Sequence, residues 1–435
     1  MKTKVVVTGM GAISPIGNTV EEFSASLKAG KSGVGPITLF DASDFDVKIA
    51  GEVKNFDPTR WIDKKDARKM ARFTQFAVAA AAQALEQAGL VEPRSAETGT
   101  SAEAGSGAEE GKPKIICNPE KTGIVLGNGI GGWEVVEESF RKLLSSGPRR
   151  MLPLTVPLMI NNEAAGNISM IYGTKGPAFT QVTACASGTD ALGQALDLIR
   201  SGRCDVVISG GTEAAIVPFA IGAFQMLKAL STKRNHEPEK ASRPFDADRD
   251  GFVMGEGAGI LILESEEHAK KRGANILAEF AGYGATADAY HITAPDPTGE
   301  GGARAIKAAL EDAGVRPEEV AYYNAHGTST EINDPTETKM IKIAFGDHAY
   351  KMKISSTKSM TGHCIAGGGG LEAIACILAI TEGFYPPTIN LEKPDPECDL
   401  DYVPNQVQYG TINAAASGSL GFGGHNGVVV FKRYN

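Results

Sequence analysis

The sequence predicts an α/β fold built from two similar halves, and three observations carry that prediction. Short β-branched runs alternate with longer runs rich in alanine and leucine, which is typical of buried, mostly parallel strands covered by helices. Glycine-broken strands recur at 7–12 and 280–285. Strands also lead into small-residue turns and then helices at corresponding places. We therefore divide the chain into two halves, 1–265 and 266–435.

Each element follows from its local pattern. The first half begins with a β-branched strand, and its alanine-rich stretches predict helices between further apolar strands; these elements are 5–7, 76–90, 124–126, 191–199 and 206–209. The second half repeats this plan, with strands and one clear helix at 278–287, 320–323, 354–358, 371–381 and 428–431. Two such halves predict a cleft between them, at the carboxyl ends of the strands.

One segment, 94–114, breaks the α/β pattern. It is rich in Ser, Ala, Gly, Glu and Thr, with no periodicity and almost no large apolar residue. Such a composition cannot bury a core, so we expect a surface insertion without chemistry of its own.

Composition excludes several classes of function. The chain has 435 residues and a formal net charge of -9, which argues against a general nucleic-acid binder. Its six cysteines have no paired spacing, so we expect free thiols in a reducing compartment. The apolar run 373–380 is far shorter than the ~20 residues of a membrane span, and the N-terminus lacks a signal-peptide layout. These features predict a cytoplasmic protein that binds no membrane.

Cys185 is the strongest candidate for a catalytic group. It lies in Gln181-Val182-Thr183-Ala184-Cys185-Ala186-Ser187-Gly188, where an apolar strand runs into a small-residue turn and a helix. Unpaired N–H groups at a helix start favour the thiolate, so the position predicts a lowered pKa and a nucleophile. A buried structural thiol is the alternative interpretation.

Two histidines lie in glycine-containing turns far downstream of this cysteine. His326 follows a strand in Asn324-Ala325-His326-Gly327, and His363 precedes four consecutive glycines. Each favours a catalytic role, with a loop hydrogen bond as the alternative. Neither has the HxxxH or HExxH spacing of a zinc site, and zinc would inactivate a nucleophilic thiolate, so we predict no catalytic metal.

The C-terminal turn Gly421-Phe422-Gly423-Gly424 precedes the final strand. Its glycines suggest backbone N–H groups able to stabilise an oxyanion beside a movable phenyl ring, although a plain hairpin turn fits equally well. A phosphate-binding loop is excluded, because no GxxxxGK[ST] or well-placed GxGxxG occurs.

Taken together, these motifs resemble the β-ketoacyl-acyl-carrier-protein synthases of the thiolase superfamily, particularly the elongating type. The resemblance spans nearly the whole chain and includes Arg243-Pro244-Phe245-Asp246 and Lys358-Ser359-Met360-Thr361-Gly362-His363. It implies a thiolase-like duplicated fold, with two βαβαβαββ halves in a five-layered αβαβα arrangement. The chain departs from the family at Gly418 and Leu420, where relatives usually carry Asn and Phe; Leu420 would loosen the gate.

The resemblance also implies roles for individual residues. Cys185 carries the acyl chain, with an oxyanion hole from the N–H groups of Cys185 and Phe422, and Phe422 is also the gate. His326 and His363 bind the malonyl thioester carbonyl during decarboxylation. Lys358 and Glu372 support the histidines. Thr328 and Thr330 bind the pantetheine arm, and Ile130 lines the acyl pocket.

An acidic partner is implied as well, namely acyl-carrier protein bearing acyl and malonyl thioesters on its own phosphopantetheine arm. The chain would therefore need no cofactor of its own. Five basic residues at helical spacing form a local positive face for this partner: Lys64, Lys65, Arg68, Lys69 and Arg72. Lys233 and Arg234 extend this face. A solvated helix face is the alternative interpretation. The resemblance further implies a homodimer.

Competing enzymes of this fold differ at identifiable positions. A biosynthetic thiolase requires a CxG turn where this chain has Gly421-Phe422-Gly423, and an initiating synthase III has asparagine where His363 stands. A polyketide-type ketosynthase shares all three catalytic groups and stays open as an alternative. A non-catalytic chain-length partner would lack the nucleophile, so Cys185 argues against it.

Overall fold

The computed structural model describes residues 2–92 and 113–435, so most of the 94–114 insertion lies outside the described residues. The strands are β1 Val5–Ile13, β2 Gly35–Pro36, β3 Ile49–Ala50, β4 Thr122–Gly127, β5 Ala178–Gln181, β6 Val206–Glu213, β7 Gly257–Ser265, β8 Ala278–Ala287, β9 Tyr322–Asn324, β10 Lys353–Ser355, β11 Phe384–Tyr385, β12 Gln408–Tyr409, β13 Ala414–Gly421 and β14 His425–Lys432. The helices are α1 Val20–Ala29, α2 Lys64–Ala67, α3 Arg72–Gln87, α4 Trp133–Ser146, α5 Thr155–Met159, α6 Glu163–Tyr172, α7 Ser187–Arg200, α8 Pro218–Met226, α9 Glu266–Lys271, α10 Glu300–Ala313, α11 Asn333–Phe345, α12 Lys358–Thr361 and α13 Ala366–Glu382.

The two halves have the same topology. Ten strands hydrogen-bond in the order β10-β9-β13-β14-β8-β1-β7-β6-β4-β5, so each half contributes five neighbouring strands. The halves meet where β1 pairs antiparallel with β8, Val5 lying opposite Phe280. Each half runs βαβαβαββ along the chain, which confirms the predicted thiolase-like duplicated fold.

The sequence prediction of mostly parallel strands is wrong. The outer three strands of each half pair in parallel, whereas all pairings of the inner strands are antiparallel. In the second half the reason is topological, because β13 and β14 form a hairpin; in the first half β6 and β7 are antiparallel neighbours although their connection contains α8.

Helices complete the layers around the strands. The helices α7 and α13 pack on each other and contact strands of both halves, so they form a central layer. Helix α3 covers β1 and β7 on one outer face, and α10 covers β8 and β14 on the other. The helices and strands therefore stack in the predicted five-layered αβαβα arrangement. Among the described residues, no helix is both long enough and apolar enough to cross a membrane.

The repeated glycines of the opening strands have a packing role. A side chain at Gly11 would put its Cβ 1.9 Å from the carbonyl oxygen of Ala80 in α3, and one at Gly284 would lie 2.3 Å from that of Ala305 in α10. Only glycine permits so close an approach of helix and strand. The sequence repeat therefore marks equivalent helix contacts in the two halves.

Candidate active site

Cys185 lies at the tip of a strained turn between β5 and α7. A single 3-10 turn, Ala184–Ala186, separates the strand from the helix, and Ala184 has a φ of 51°. The left-handed conformation is costly for a residue with a Cβ, so the surroundings must hold it. The hydroxyl of Ser187 helps by accepting the N–H of Thr183 at 2.8 Å. The turn directs the thiol into a cavity between the halves.

Both predicted histidines line the same cavity as Cys185, which has a volume of about 450 Å³. His326 follows β9, and His363 follows α12, the two imidazole rings meeting edge to face with centroids 5.2 Å apart. The Nε2 atom of His363 lies 3.0 Å from the Sγ atom of Cys185. Because β5 and β10 are the outermost strands of the two halves, the duplication places Cys185 and His363 at equivalent positions, and His326 follows β9, the strand next to β10.

Burial sets the protonation of all three groups. It lowers the pKa of His326 and His363 well below the usual value, and the Lys358 ammonium lowers both further, so both imidazoles are neutral at pH 7. Burial also raises the pKa of the Cys185 thiol to about 12. The expected lowering of the cysteine pKa is therefore wrong, because loss of hydration outweighs the helix start.

Lys358 and Glu372 form a buried ion pair beside the histidines. Each side chain is only 3% exposed, and the ammonium donates to Oε1 of Glu372. Burial raises the pKa of Glu372, and the charge of Lys358 opposes that rise. The pair is therefore not a solvated surface contact.

The C-terminal turn contacts the nucleophile turn directly. The backbone N–H groups of Phe422 and Cys185 both act to lower the pKa of the Cys185 thiol, although burial outweighs them. A side chain at Gly421 would put its Cβ 2.6 Å from the carbonyl oxygen of Thr183, so the two turns are in close contact. Backbone N–H groups of both turns therefore lie close to the sulfur, and donors at such a position are able to form an oxyanion hole for a bound thioester carbonyl.

The departure at Gly418 has a structural reason. A Cβ at this position would lie 2.0 Å from the buried hydroxyl oxygen of Tyr323, which fills the space of a side chain. Leu420, the second departure, lines the cavity and packs against the apolar cluster of the second half. The predicted loosening of the gate by Leu420 stays a prediction.

Thr328 and Thr330 lie on the cavity wall, whereas Ile130 does not. The two hydroxyl oxygens are 3.0 Å apart, and the Thr330 carbonyl accepts a hydrogen bond from the Arg249 guanidinium. Ile130 instead packs against the apolar cluster that Cys185 also contacts. The assignment of Ile130 to an acyl pocket stays a prediction.

The basic residues do not form one helical face. Helix α2 ends at Ala67, and Arg72 begins α3. Arg72 is bound to the fully buried carboxylate of Glu256 at 2.6 Å, so its placement in the docking face is a correction. Five of the remaining side chains are exposed, whereas Arg234 bonds Glu237 at 2.8 Å; the exposed residues are Lys64, Lys65, Arg68, Lys69 and Lys233.

Two buried glutamates were missed by the sequence analysis. Glu337 accepts the backbone N–H groups of His326 and Gly327 at 2.7 and 2.6 Å and so fixes the histidine turn. Glu213 accepts the N–H of Gly129 at 2.9 Å, and burial raises the pKa of its carboxyl to about 8. The sequence did offer one indication of Glu213, because it is the only charged residue of the apolar strand β6 and lies at its end.

The donor atoms of Cys185, His326 and His363 lie within 4.8 Å of one another, a distance from which a metal ion could be bound. The expectation of no catalytic metal therefore stays a prediction from sequence spacing.

A thiol and two neutral imidazoles between duplicated α/β halves define a condensing enzyme of the thiolase type. The family model described as beta-ketoacyl synthase, N-terminal domain, matches residues 2–269, and its C-terminal counterpart matches 277–392. The chain therefore belongs to the β-ketoacyl synthase family.

Relatives within this family match over their full length. The chain is 51% identical over 433 residues to 3-oxoacyl-[acyl-carrier-protein] synthase 2 of a Synechocystis strain, covering 100% of this chain and 99% of that one. It is 49% identical over 432 residues to the protein of the same name in Staphylococcus aureus, and the match covers 99% of this chain and 98% of that one.

Solved structures agree with this assignment. The ishigamide ketosynthase/chain length factor has a TM-score of 0.88 and 39% identity, and each chain is covered completely. A type II PKS acyl-carrier protein in complex with its ketosynthase has a TM-score of 0.88 and 35% sequence identity, and each chain is again covered completely.

Proposed function

We propose that the chain catalyses the decarboxylative Claisen condensation of an acyl thioester on Cys185 with malonyl-acyl-carrier protein. The product is β-ketoacyl-acyl-carrier protein, and the reaction elongates fatty acids. The observation that carries the proposal is the placement of two neutral imidazoles, and of the backbone N–H groups of two turns, beside one thiol. Full-length similarity to 3-oxoacyl-[acyl-carrier-protein] synthases 2 supports the substrate class.

The first step transfers the acyl group to the enzyme. The Cys185 sulfur attacks the thioester carbonyl, its bond to the carrier sulfur breaks, and the proton of the Cys185 thiol passes to that departing sulfur. His363, 3.0 Å from Sγ, is placed to relay the proton. Negative charge on the carbonyl oxygen is stabilised by the N–H groups of Cys185 and Phe422.

The second step joins two carbons. The malonyl carboxylate leaves as carbon dioxide, and the electron pair of the broken bond forms an enolate, which His326 and His363 stabilise with N–H donors. The enolate carbon then attacks the acyl group on Cys185, whose sulfur leaves and regains a proton. Neutral imidazoles suit this task because the negative charge develops only in the transition state. Lys358 supports the task by disfavouring imidazolium.

The substrates would arrive on an acyl-carrier protein whose phosphopantetheine arm binds along Thr328 and Thr330. The exposed cations at and near α2, including Lys65 and Lys69, supply a positive surface on a chain of net charge -9. Such a surface steers an acidic partner. A solved relative in complex with its acyl-carrier protein supports docking of this kind.

A homodimer and a cytoplasmic location complete the proposal. Strand β5 is the exposed edge of the sheet; Phe179 in this strand is 44% exposed, and Val182, directly after it, is 55% exposed. At the opposite edge, Ile354 of β10 is buried. An uncovered apolar edge is a template for pairing with a second chain. The six free cysteines fit a reducing compartment.

A polyketide-type ketosynthase is the second candidate, because one similar solved structure is a type II PKS acyl-carrier protein in complex with its ketosynthase. The curated relatives favour fatty-acid elongation. The candidates differ in primer, since elongation uses a fully reduced acyl chain and polyketide synthesis uses a poly-β-keto chain.

The test is product formation from matched primers. We expect the chain, given malonyl-carrier protein, to extend a saturated acyl-carrier protein and to neglect a β-ketoacyl primer of equal length. We expect His326→Ala to remain acylated on Cys185 but to release no carbon dioxide. Preference for the β-ketoacyl primer would favour the polyketide role, and absence of any product would contradict condensation.

A further inference from the structure

The carboxylate of Asp190 lies beneath the nucleophile turn and has no role in the reaction described above. It belongs to the first turn of α7, five residues after Cys185, and is 6% exposed. It accepts the hydroxyl of Thr183 at 2.5 Å and the hydroxyl of Tyr283 at 2.8 Å. A buried carboxylate with two hydroxyl donors is a fixed anchor.

Thr183 is the residue through which this anchor reaches the turn. Its hydroxyl bonds Asp190, its N–H bonds Ser187, and its carbonyl accepts the N–H of Ala186 at 3.1 Å. The next residue, Ala184, has the positive φ described above. The strained segment before Cys185 is therefore held from three sides, one of which depends on Asp190.

Tyr283 ties the same carboxylate to the other half of the molecule. It belongs to β8, and its ring packs so closely over α7 that a Cβ at Gly193 would lie 2.4 Å from a ring carbon. Its own N–H donates to Asp312 at 3.0 Å. Asp190 thus connects the nucleophile helix with the opening strand of the second half.

The turn that carries Phe422 also abuts this anchor. Gly421 lies against the Thr183 carbonyl, and a Cβ at Gly427 would be 2.5 Å from Oδ1 of Asp190. Burial raises the pKa of Asp190, whereas the hydrogen bonds from Thr183 and Tyr283 lower that pKa. Thr183 and Asp190 therefore contact both segments that donate an N–H group to the site.

We propose that Asp190 is a positioning residue that keeps the Cys185 and Phe422 N–H groups in register as one oxyanion hole. The inference rests on the proposed acyl transfer, in which charge appears on a carbonyl oxygen. A displacement near 1 Å at such a site can cost about 100-fold in rate. Loss of the anchor should therefore slow acylation of Cys185 without removing its thiol.

The experiment compares two reactions of the same thiol. Acylation by acyl-carrier protein, and by p-nitrophenyl acetate, passes through an oxyanion; alkylation by iodoacetamide displaces iodide and does not. For Asp190→Ala we expect acylation to fall roughly 10- to 100-fold, with alkylation and the melting temperature nearly unchanged. Asp190→Asn keeps an acceptor oxygen and should restore most of the acylation rate. Asp197→Ala, on the exposed side of the same helix, should change neither reaction.

A double-variant cycle tests the route through Thr183. Thr183→Val should slow acylation, and adding it to Asp190→Ala should cause no further loss, because both changes remove one connection. Additive losses would overturn the proposal, as would wild-type acylation in Asp190→Ala or an equal fall in both reactions. If Asp190→Ala does not fold, Thr183→Val and Tyr283→Phe decide: an unchanged acylation rate in both overturns the proposal.

The ester separates this inference from the proposed function. A wild-type enzyme that reacts with p-nitrophenyl acetate but not with acyl-carrier protein would contradict the carrier-protein substrate. The effect of Asp190 on the oxyanion hole would still be measured with the ester.

Discussion

At the scale of single residues, the chemistry of Cys185 is decided by burial more than by its place before a helix. A 3-10 turn separates the sulfur from the first residue of α7, and the thiol packs against apolar side chains. Desolvation therefore raises the pKa of the thiol to about 12. The resting enzyme carries a neutral thiol beside a neutral imidazole, and the proton leaves during acyl transfer.

This protonation state predicts the pH dependence of Cys185 alkylation. Below a pKa of about 12 the thiolate fraction grows tenfold for each pH unit, so the alkylation rate should rise steadily from pH 7 to 10. Peptide mass spectrometry after iodoacetamide treatment measures this rate for Cys185 alone, with N-acetylcysteine as the reference. A plateau below pH 9 would show a stabilised thiolate and contradict the account.

At the scale of elements, the site is assembled from turns that follow the strands of both halves. The sequence analysis located Cys185, His326, His363 and Phe422, because each turn has a local signature of small residues. It missed Glu337, which lies 11 residues after His326 but on a helix whose local pattern does not show that this carboxylate faces the histidine turn. It could not find the Arg72 pairing with Glu256, since these two residues lie far apart in the chain. The cysteine pKa was wrong for the same reason, because burial depends on the assembled fold.

The ion pair between α12 and α13 gives a stability prediction. Glu372→Ala leaves the buried Lys358 ammonium without its partner and should lower the free energy of unfolding by about 3–5 kcal/mol. Urea denaturation followed by circular dichroism measures the change. The matched control is Glu266→Ala, which removes a surface partner of Lys270 and should cost less than about 1 kcal/mol. Equal losses in both variants would contradict a buried pair.

At the scale of the whole molecule, duplication places the reactive groups, and the proposed function assigns two surfaces to partners. In that proposal the cations at and near α2 bind an acidic carrier protein, and the exposed edge strand β5 pairs with a second chain. Both surfaces lie outside the cavity, so their loss should impair binding or assembly before chemistry. This separation makes each surface testable on its own.

Charge reversal tests the carrier-protein surface. Lys65→Glu with Lys69→Glu should raise the KM for acyl-carrier protein roughly tenfold at low ionic strength, with little change in kcat. The difference should shrink at high salt. The control is Lys307→Glu on the exposed side of α10, which should leave KM unchanged. An unchanged KM in the double variant at low salt would contradict docking on this surface.

A substitution at the sheet edge tests the homodimer. Phe179→Asp puts a charge on exposed β5 and should convert a particle of twice the chain mass into a monomer in light scattering. Tyr409→Asp, at a more exposed aromatic residue outside the ten-stranded sheet, is the control. A wild-type monomer, or a Phe179→Asp dimer, would contradict pairing through β5.

The central claim is that Cys185 carries the acyl chain that the enolate attacks. Its most direct test is peptide mass spectrometry after mixing the enzyme with a medium-chain acyl-carrier protein, followed by a chase with malonyl-carrier protein. We expect the acyl mass on the Cys185 peptide, its disappearance during the chase, and an equal amount of β-ketoacyl-carrier protein. Cys185→Ala, folded by circular dichroism, should acquire no acyl mass. Acylation of that variant, or a wild-type adduct that persists through the chase, would contradict the account.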